Sequence, residues 1–362
     1  MQTTTPADNA QADNAQLLEL VSQQATQHQL RTGIDYYDDR LWYGLKVAAE
    51  PYLLVSGRQA LRLQNLPNGL SAVEKSFAAA PLSQDGIKRY MAGETVDGAE
   101  LILKLEQYLA KHAKFQHDTT AAVLAHWLLG TYLYMAFPTY PYLWITSAQK
   151  GSGKTRVLEL LASVSFRALS VVDPTPAVLY RVLDQLGGTL LVDEFGKAGD
   201  DTQRALVTIL NAGFRRGTTV PRCASDDYHI EFFNAYSPKV LAGLSRLPDT
   251  LESRTIPVQM LPKSPKDGIQ PFSSVHMEAT LRRFRDDMAI WALDNARACA
   301  ELAVKPAELE LPASLDDRAA DYMAPLFAIS LVAGTDTARL RHFCEALSEL
   351  RQVDNRRRSQ PR

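Results

Sequence analysis

The sequence predicts an α/β protein: a parallel sheet layered with helices, a C-terminal helical lid, and a small β/α module toward the N-terminus. Three observations predict it. Apolar runs alternate with helical stretches from Tyr142 to Met260, the pattern of strand–helix–strand units. Helical apolar spacing dominates residues 276–350. Residues 34–70 carry short alternating runs broken at Glu50-Pro51 and Ser56-Gly57-Arg58.

In chain order, residues 1–33 are polar, with disorder expected over 1–15 and one helix over Leu17–Leu30. Residues 34–95 form the β-rich module and a linker: strands at 41–47, 52–56 and 60–64 make a three-stranded meander, and 71–95 reads as linker from Pro81, Gly86 and Gly93. Residues 96–138 are a helical segment, with helices over 97–113 and 119–136. The core, 139–262, places strands at 142–146, 168–172, 189–192, 239–242 and 256–260, and helices at 154–164, 175–186 and 202–213. Residues 263–350 form the lid, broken at Pro306, Pro312 and Gly334, and 351–362 a basic tail.

Composition narrows the class. The chain has 362 residues, 46% hydrophobic and 22% charged, which excludes collagen-like, wholly disordered and disulfide-scaffold proteins. Thirty-nine Lys and Arg face 41 Asp and Glu, so any nucleic-acid contact must be a local patch. Cys223, Cys299 and Cys344 lie far apart and form no CxxC, which points away from zinc and disulfides and toward a cytoplasmic location. The polar N-terminus lacks the apolar region of a signal peptide. The longest apolar stretch, Ala121–Phe137, contains His126 and falls short of the roughly 20 residues a span needs, so a buried helix and no membrane partner are expected. His126 itself reads as core packing.

Chemistry concentrates after the first core strand. Tyr142-Leu-Trp-Ile-Thr146 leads into Ser147-Ala-Gln-Lys-Gly-Ser-Gly-Lys-Thr155, which fits the phosphate-loop pattern G-x-x-x-x-G-K-[ST] with Ala148 in place of the first glycine. Gly151 and Gly153 allow backbone N–H groups of Ala148, Gln149, Lys150, Gly151 and Ser152 to curl around a phosphate, and the following helix adds its positive end. Lys154 is expected at the β- and γ-phosphates of ATP and the Thr155 hydroxyl on Mg²⁺. Downstream, Thr189-Leu-Leu-Val-Asp-Glu194 is an apolar strand ending in two carboxylates. Asp193 suits the Mg²⁺ shell, and Glu194 suits activation of a water as general base. The second carboxylate favours hydrolysis over phosphoryl transfer to a metabolite.

Residues about 98–345 resemble the P-loop domain of helicase- and primase-associated proteins of phages, plasmids and integrated elements. The resemblance rests on Tyr142–Ser147, Gly153–Thr155, Thr208–Gly217, Val220–Cys223, Pro238–Gly243, Leu247–Leu251 with Ser253-Arg254, Asp317–Asp321 and Pro325–Ile329. It implies a P-loop NTPase fold of the AAA+ kind and an ATPase. Leu247-Pro-Asp-Thr-Leu-Glu-Ser-Arg254 is similar to the L-P-x-x-L-x-S-R segment of minichromosome-maintenance-type helicases, which implies that Arg254 reaches a neighbouring subunit's γ-phosphate. A surface arginine is the plainer alternative. The trans reading requires a head-to-tail oligomer, a hexameric ring being expected.

Residues 218–223 and 228–233 read as a hairpin with an acidic tip at Asp226 and Asp227. Related helicases carry a basic, DNA-touching hairpin here. Arg215, Arg216 and Arg222 at its base are the candidate contacts to single- or double-stranded DNA, against solvated charge or a subunit interface. Leu241-Ala-Gly243 lacks the polar residue usual after this strand, leaving Asn234 and Ser245 as substitutes. Arg318 is a candidate nucleotide sensor from the lid, or a helix-surface partner of Asp321. Two functions follow: an ATP-driven nucleic-acid motor, such as a helicase or replication protein of a mobile element, or an oligomeric regulatory or protein-remodelling ATPase without a nucleic-acid substrate.

Overall fold

A computed structural model describes residues 28–47, 50–73, 80–147, 152–196, 199–223, 229–243 and 246–359. The architecture is mixed α/β, with a five-stranded parallel sheet and, among the described residues, eleven α-helices. The expected disorder over 1–15 and most of the helix expected over Leu17–Leu30 lie outside the described residues.

The N-terminal strands are His28–Arg31 (β1), Ile34–Tyr37 (β2), Arg40–Val47 (β3), Glu50–Val55 (β4), Gln59–Arg62 (β5) and Leu70–Val73 (β6). Strands β2, β3, β4 and β5 form an antiparallel sheet in that order, and β1 pairs in parallel with β6. Alternation sorts the side chains of β3. Leu41, Tyr43 and Leu45 join the main hydrophobic core, while Trp42 faces the other way with Leu30, Leu53 and Val55 in a small second cluster. A fully buried leucine such as Leu41 contributes roughly 1.5–3 kcal/mol before entropy. The expected meander is thus four strands rather than three. Residues 28–30, expected in a helix, belong to β1, where His28–Arg31 pairs residue by residue with Leu70–Val73.

The helices Gln84–Met91 (α1), Gly98–His112 (α2) and Thr120–Gly130 (α3) follow. Helix α1 falls in the expected linker. Its start is fixed by Ser83, whose hydroxyl accepts from the Gly86 N–H at 3.1 Å. All eleven residues of α3 are buried, so it is apolar around its full circumference. It stops at Gly130 rather than 136, and a single 3₁₀ turn covers 134–136. No helix is long and apolar enough to cross a membrane among the described residues.

The core elements are Tyr142–Ser147 (β7), Lys154–Val164 (α4), Leu169–Val172 (β8), Pro176–Leu186 (α5), Leu190–Asp193 (β9), Asp200–Ala212 (α6), Thr219–Cys223 (β10), Ile230–Asn234 (β11), Lys239–Ala242 (β12), Asp249–Glu252 (α7) and Thr255–Met260 (β13). The parallel sheet runs β13-β7-β12-β9-β8. Strands β7, β9 and β12 are near-continuous apolar runs because both faces are covered. The edge strand β8 alternates half-buried and exposed. The right-handed crossovers that parallel strands favour would put α4 on one face and α5 and α6 on the other. The contacts agree: α4 packs on β7, β12 and β9, and α5 packs against α6. Strands β10 and β11 form the expected antiparallel hairpin, whose tip, with Asp226 and Asp227, lies outside the described residues.

Glu278–Ala303 (α8), Pro306–Leu309 (α9), Asp317–Ala333 (α10) and Ala338–Ser359 (α11) complete the chain. Pro306 opens α9, and Gly334 ends α10 in the left-handed region at φ +74°. Helix α8 packs on α4, on α10 and on β3, so the β-rich module and the parallel sheet share one hydrophobic core.

Candidate functional site

Open parallel sheets bind ligands beyond the carboxyl ends of their strands. At that edge β7 ends on Ser147. The expected cradle residues Ala148, Gln149, Lys150 and Gly151 lie outside the described residues. The chain is buried again at Ser152 and turns at Gly153, whose φ of +92° only glycine adopts without strain. A Cβ there would meet nothing nearer than the Met260 methyl at 4.0 Å, so conformation rather than crowding selects the glycine. Lys154 is the first residue of α4 and its Nζ donates to Ser147 Oγ at 2.7 Å. The N-cap residue of α4 is Gly153, which has no side chain to cap it, and the helix's positive dipole end lies at Lys154.

Strand β9 delivers Asp193 to the same edge, one strand removed from β7 with β12 between. Asp193 Oδ1 accepts from the Glu194 N–H at 2.8 Å. Glu194 is exposed and sits at φ +58°, a left-handed conformation that costs a non-glycine residue about 1–2 kcal/mol. The turn is held by the Phe195 N–H on the Ala242 carbonyl at 2.8 Å, tying the ends of β9 and β12 together. Thr155 and Asp193 line one cavity of about 740 Å³, with Arg156, Glu159, Ser170 and Ser274 among its other walls. Lys154 and Glu194 flank these two in sequence but are not walls of that cavity.

Arg254 lies at the opposite edge. Its carbonyl accepts from the Tyr142 N–H at 3.1 Å, where β13 begins to pair with β7. Lys154 follows the far end of that six-residue strand, about 17 Å away at 3.3 Å per residue. The Arg254 guanidinium stacks 5.5 Å from the Phe214 ring, and Nη1 donates to the Thr250 carbonyl. Its Nε is buried without a hydrogen-bond partner among the described residues. Burial, then the neighbouring Arg318 and Arg215, lower its pKa.

Arg318 belongs to this edge too: Nη1 donates to Ser253 Oγ at 2.7 Å. Arg318 thus lies beside Arg254, about a strand's length from Lys154. The helix N-terminus carrying it packs beside the Arg254 turn, on the side away from Lys154. Its expected i, i+3 partner is engaged elsewhere: Asp321 pairs with Arg215, at 3.6 Å. Arg215, Arg254 and Arg318 therefore converge on one sheet edge, a grouping their sequence separation conceals.

The other candidates are scattered. Arg216 donates to the Met135 carbonyl, and its N–H to the Pro138 carbonyl at 2.9 Å, anchoring the loop. Arg222 stacks 5.0 Å from the Tyr180 ring. Asn234 precedes β12 and its Oδ1 accepts from the Tyr236 N–H at 2.8 Å, so it is spent on a turn away from the Asp193 edge. Ser245 lies outside the described residues. His126 is buried, Nδ1 donating to the Ala122 carbonyl at 2.8 Å with Nε2 3.1 Å from Thr335 Oγ1. Burial pushes its pKa from 6.5 down to about 4, as befits a core residue.

Sequence reasoning missed Lys239. Its fully buried ammonium donates to the carbonyls of Ala235 at 2.7 Å and Ser237 at 3.0 Å, and lies 4.8 Å from the Tyr142 ring. Burial drives its pKa well below 10.5. Tyr142 in turn meets Phe214 edge-on at 6.1 Å, so a stack runs Lys239, Tyr142, Phe214, Arg254 beneath the arginine edge. A lysine opening an otherwise apolar strand was the only available signal.

No protein-family model and no curated protein matches the chain. Among the described residues no group of three or more His, Cys, Asp or Glu side chains is placed to hold a metal.

Proposed function

We propose that this chain is a magnesium-dependent ATPase of the AAA+ P-loop kind, working as an oligomer in which one subunit's arginine edge completes its neighbour's site. The observation that carries the reading is the meeting of Thr155 and Asp193 at one cavity beside Lys154 and the N-terminus of α4. A hydroxyl and a carboxylate are hard oxygen donors of the sort Mg²⁺ takes beside substrate phosphates. Thr155 and Asp193 would hold that ion, which supplies charge neutralisation at the phosphates. Lys154 and the α4 N-terminus bind the triphosphate, and Glu194 takes the proton of the attacking water. Arg254, about a strand's length from its own chain's loop, serves a neighbour. ATP titration by calorimetry with and without Mg²⁺, and phosphate release over time, test the proposal. Absence of ATP binding by folded protein sinks it.

The substrate of that cycle has two readings. The resemblance favours a nucleic-acid motor, a helicase or replication protein. The placement of Arg216 on Met135, Arg222 on Tyr180 and Arg215 beside Arg254 favours a regulatory or protein-remodelling ATPase, because it assigns these arginines to packing and to the subunit edge. ATPase rates measured with and without single-stranded DNA at low salt separate them: stimulation that fades with salt supports the motor, and no stimulation rejects it.

A further inference from the structure

Strands β10 and β11 divide their side chains between two faces, as alternation requires. One face turns inward. Val220 is buried, the Phe233 ring lies 4.6 Å from the Tyr180 ring of α5, and Arg222 covers that same ring. The other face carries Thr219, Pro221 and Cys223 of β10 opposite Asn234, Phe232 and Ile230 of β11. Asn234 is half-buried and the other five are exposed, Phe232 at 65% and Ile230 at 56%. This face bears no charged side chain. An uncharged apolar patch with a central aromatic fits a protein partner and offers nothing to neutralise a polyanion.

Two further observations say which protein. First, β10 begins four residues after Arg215, so the patch continues from the sheet edge that carries Arg215, Arg254 and Arg318. Second, the rim of the cavity holding Thr155 and Asp193 has exposed apolar side chains of its own. Val172 lines that cavity and is 67% exposed, and Val178, in the first turn of α5, is 50% exposed. Asp173 and Glu194, which follow β8 and β9, are exposed beside them. A head-to-tail pair needs two different surfaces that match in polarity and charge. This chain carries both: an apolar face beside three arginines, and apolar residues beside carboxylates.

We propose that the hairpin face carrying Ile230 and Phe232 seats on the Val172 and Val178 rim of a second copy of this chain. The proposal rests on the reading of Arg254 as serving a neighbour's triphosphate, and it names the surface that holds the neighbour in place. Burial of the two apolar patches supplies the hold. The arginines, set against Asp173 and Glu194, fix the register and reject the reversed orientation.

The test uses the full chain. Cys223 closes β10 at the margin of this face, while Cys299 and Cys344 are buried, so a maleimide–benzophenone labels Cys223 in the folded protein. Irradiation should give a covalent dimer whose far end, located by peptide mass spectrometry, falls within residues 172–178 of the second copy. No covalent dimer, a far end elsewhere, or capture of added single-stranded DNA in its place overturns the proposal. Phe232→Asp and Val178→Asp, both surface changes, should each raise the subunit dissociation constant at least about thirtyfold in sedimentation, the loss of an interface hot spot. Mixed, the two variants should form dimers and nothing larger, because each keeps the surface the other lacks. Unchanged association of either variant overturns the proposal. Calorimetry with ATP separates this result from the ATPase reading: a chain that binds ATP as a monomer refutes the seat and leaves the loop standing, and hairpin-dependent association without ATP binding does the reverse.

Discussion

The separation of Arg254 from Lys154 makes a quantitative prediction. The arginine abuts Tyr142 at the start of β7 and the lysine follows its end, with about 17 Å between them. An arginine side chain cannot cover that distance, so under the proposed function Arg254 must reach a triphosphate across an interface. Arg254→Ala alone should lower turnover by about 10³–10⁵-fold, the effect of removing an arginine finger, and Lys154→Ala alone should abolish it. Mixed and allowed to exchange, the two variants regain function wherever an Arg254→Ala subunit offers its intact loop to a Lys154→Ala neighbour with an intact arginine. Random one-to-one mixing creates that pairing at about one quarter of heterologous interfaces. Phosphate release from the mixture should therefore reach about a quarter of the wild-type rate. A mixture no more active than its components, or an Arg254→Ala protein with full activity alone, refutes the reasoning.

Lys154→Ala should remove ATP binding, with calorimetric heats falling to the level of dilution; retained affinity would contradict its placement at the phosphates. Glu194→Gln should keep ATP affinity within about twofold yet slow turnover by about 10²-fold or more, the range of a general base, in single-turnover assays. His126 is neutral in the folded state, its pKa lying near 4 against 6.5 unfolded, so its stabilising share is complete above 6.5 and lost as pH falls toward 4. Urea unfolding should show wild-type protein losing about 3 kcal/mol more than His126→Gln across that window. Lys239 also has a lowered folded pKa, so the unfolded chain binds the proton more tightly and stability relative to Lys239→Met should rise as pH climbs from the lowered value toward 10.5. Paired denaturation curves at about pH 7 and about pH 10 with no difference in the gap would contradict this.

The core strands were legible because strands buried on both faces must be written in unbroken apolar residues. Lys239–Ala242 appears with the expected bounds, and Tyr142–Ser147 and Leu190–Asp193 shift by one residue. The pair β1 and β6 was not legible, since His28-Gln-Leu-Arg31 and Leu70-Ser-Ala-Val73 are four-residue strands with little apolar pattern, joined only by a partner about forty residues away. Helix α1 was hidden by Gly86, and the Ser83 cap that starts it was overlooked. At the candidate site, Lys154, Thr155, Asp193 and Glu194 stand in local patterns that the sequence shows, and the structure sets Thr155 and Asp193 at one cavity. Which edge a residue occupies depends on strand order, which no local pattern encodes. That is why the grouping of Arg215, Arg254 and Arg318 and the buried charge of Lys239 have little or no sequence signal.

The packing of β3 on α8 limits how this chain can be shortened. Tyr43 donates its hydroxyl to the Tyr132 carbonyl, and Arg167 reaches back to Gly44, so the first sheet is bolted as well as greased onto the rest. A truncation that began after Val73 would leave an oily slab along α8 facing solvent. Such a fragment should clump, however intact its parallel sheet.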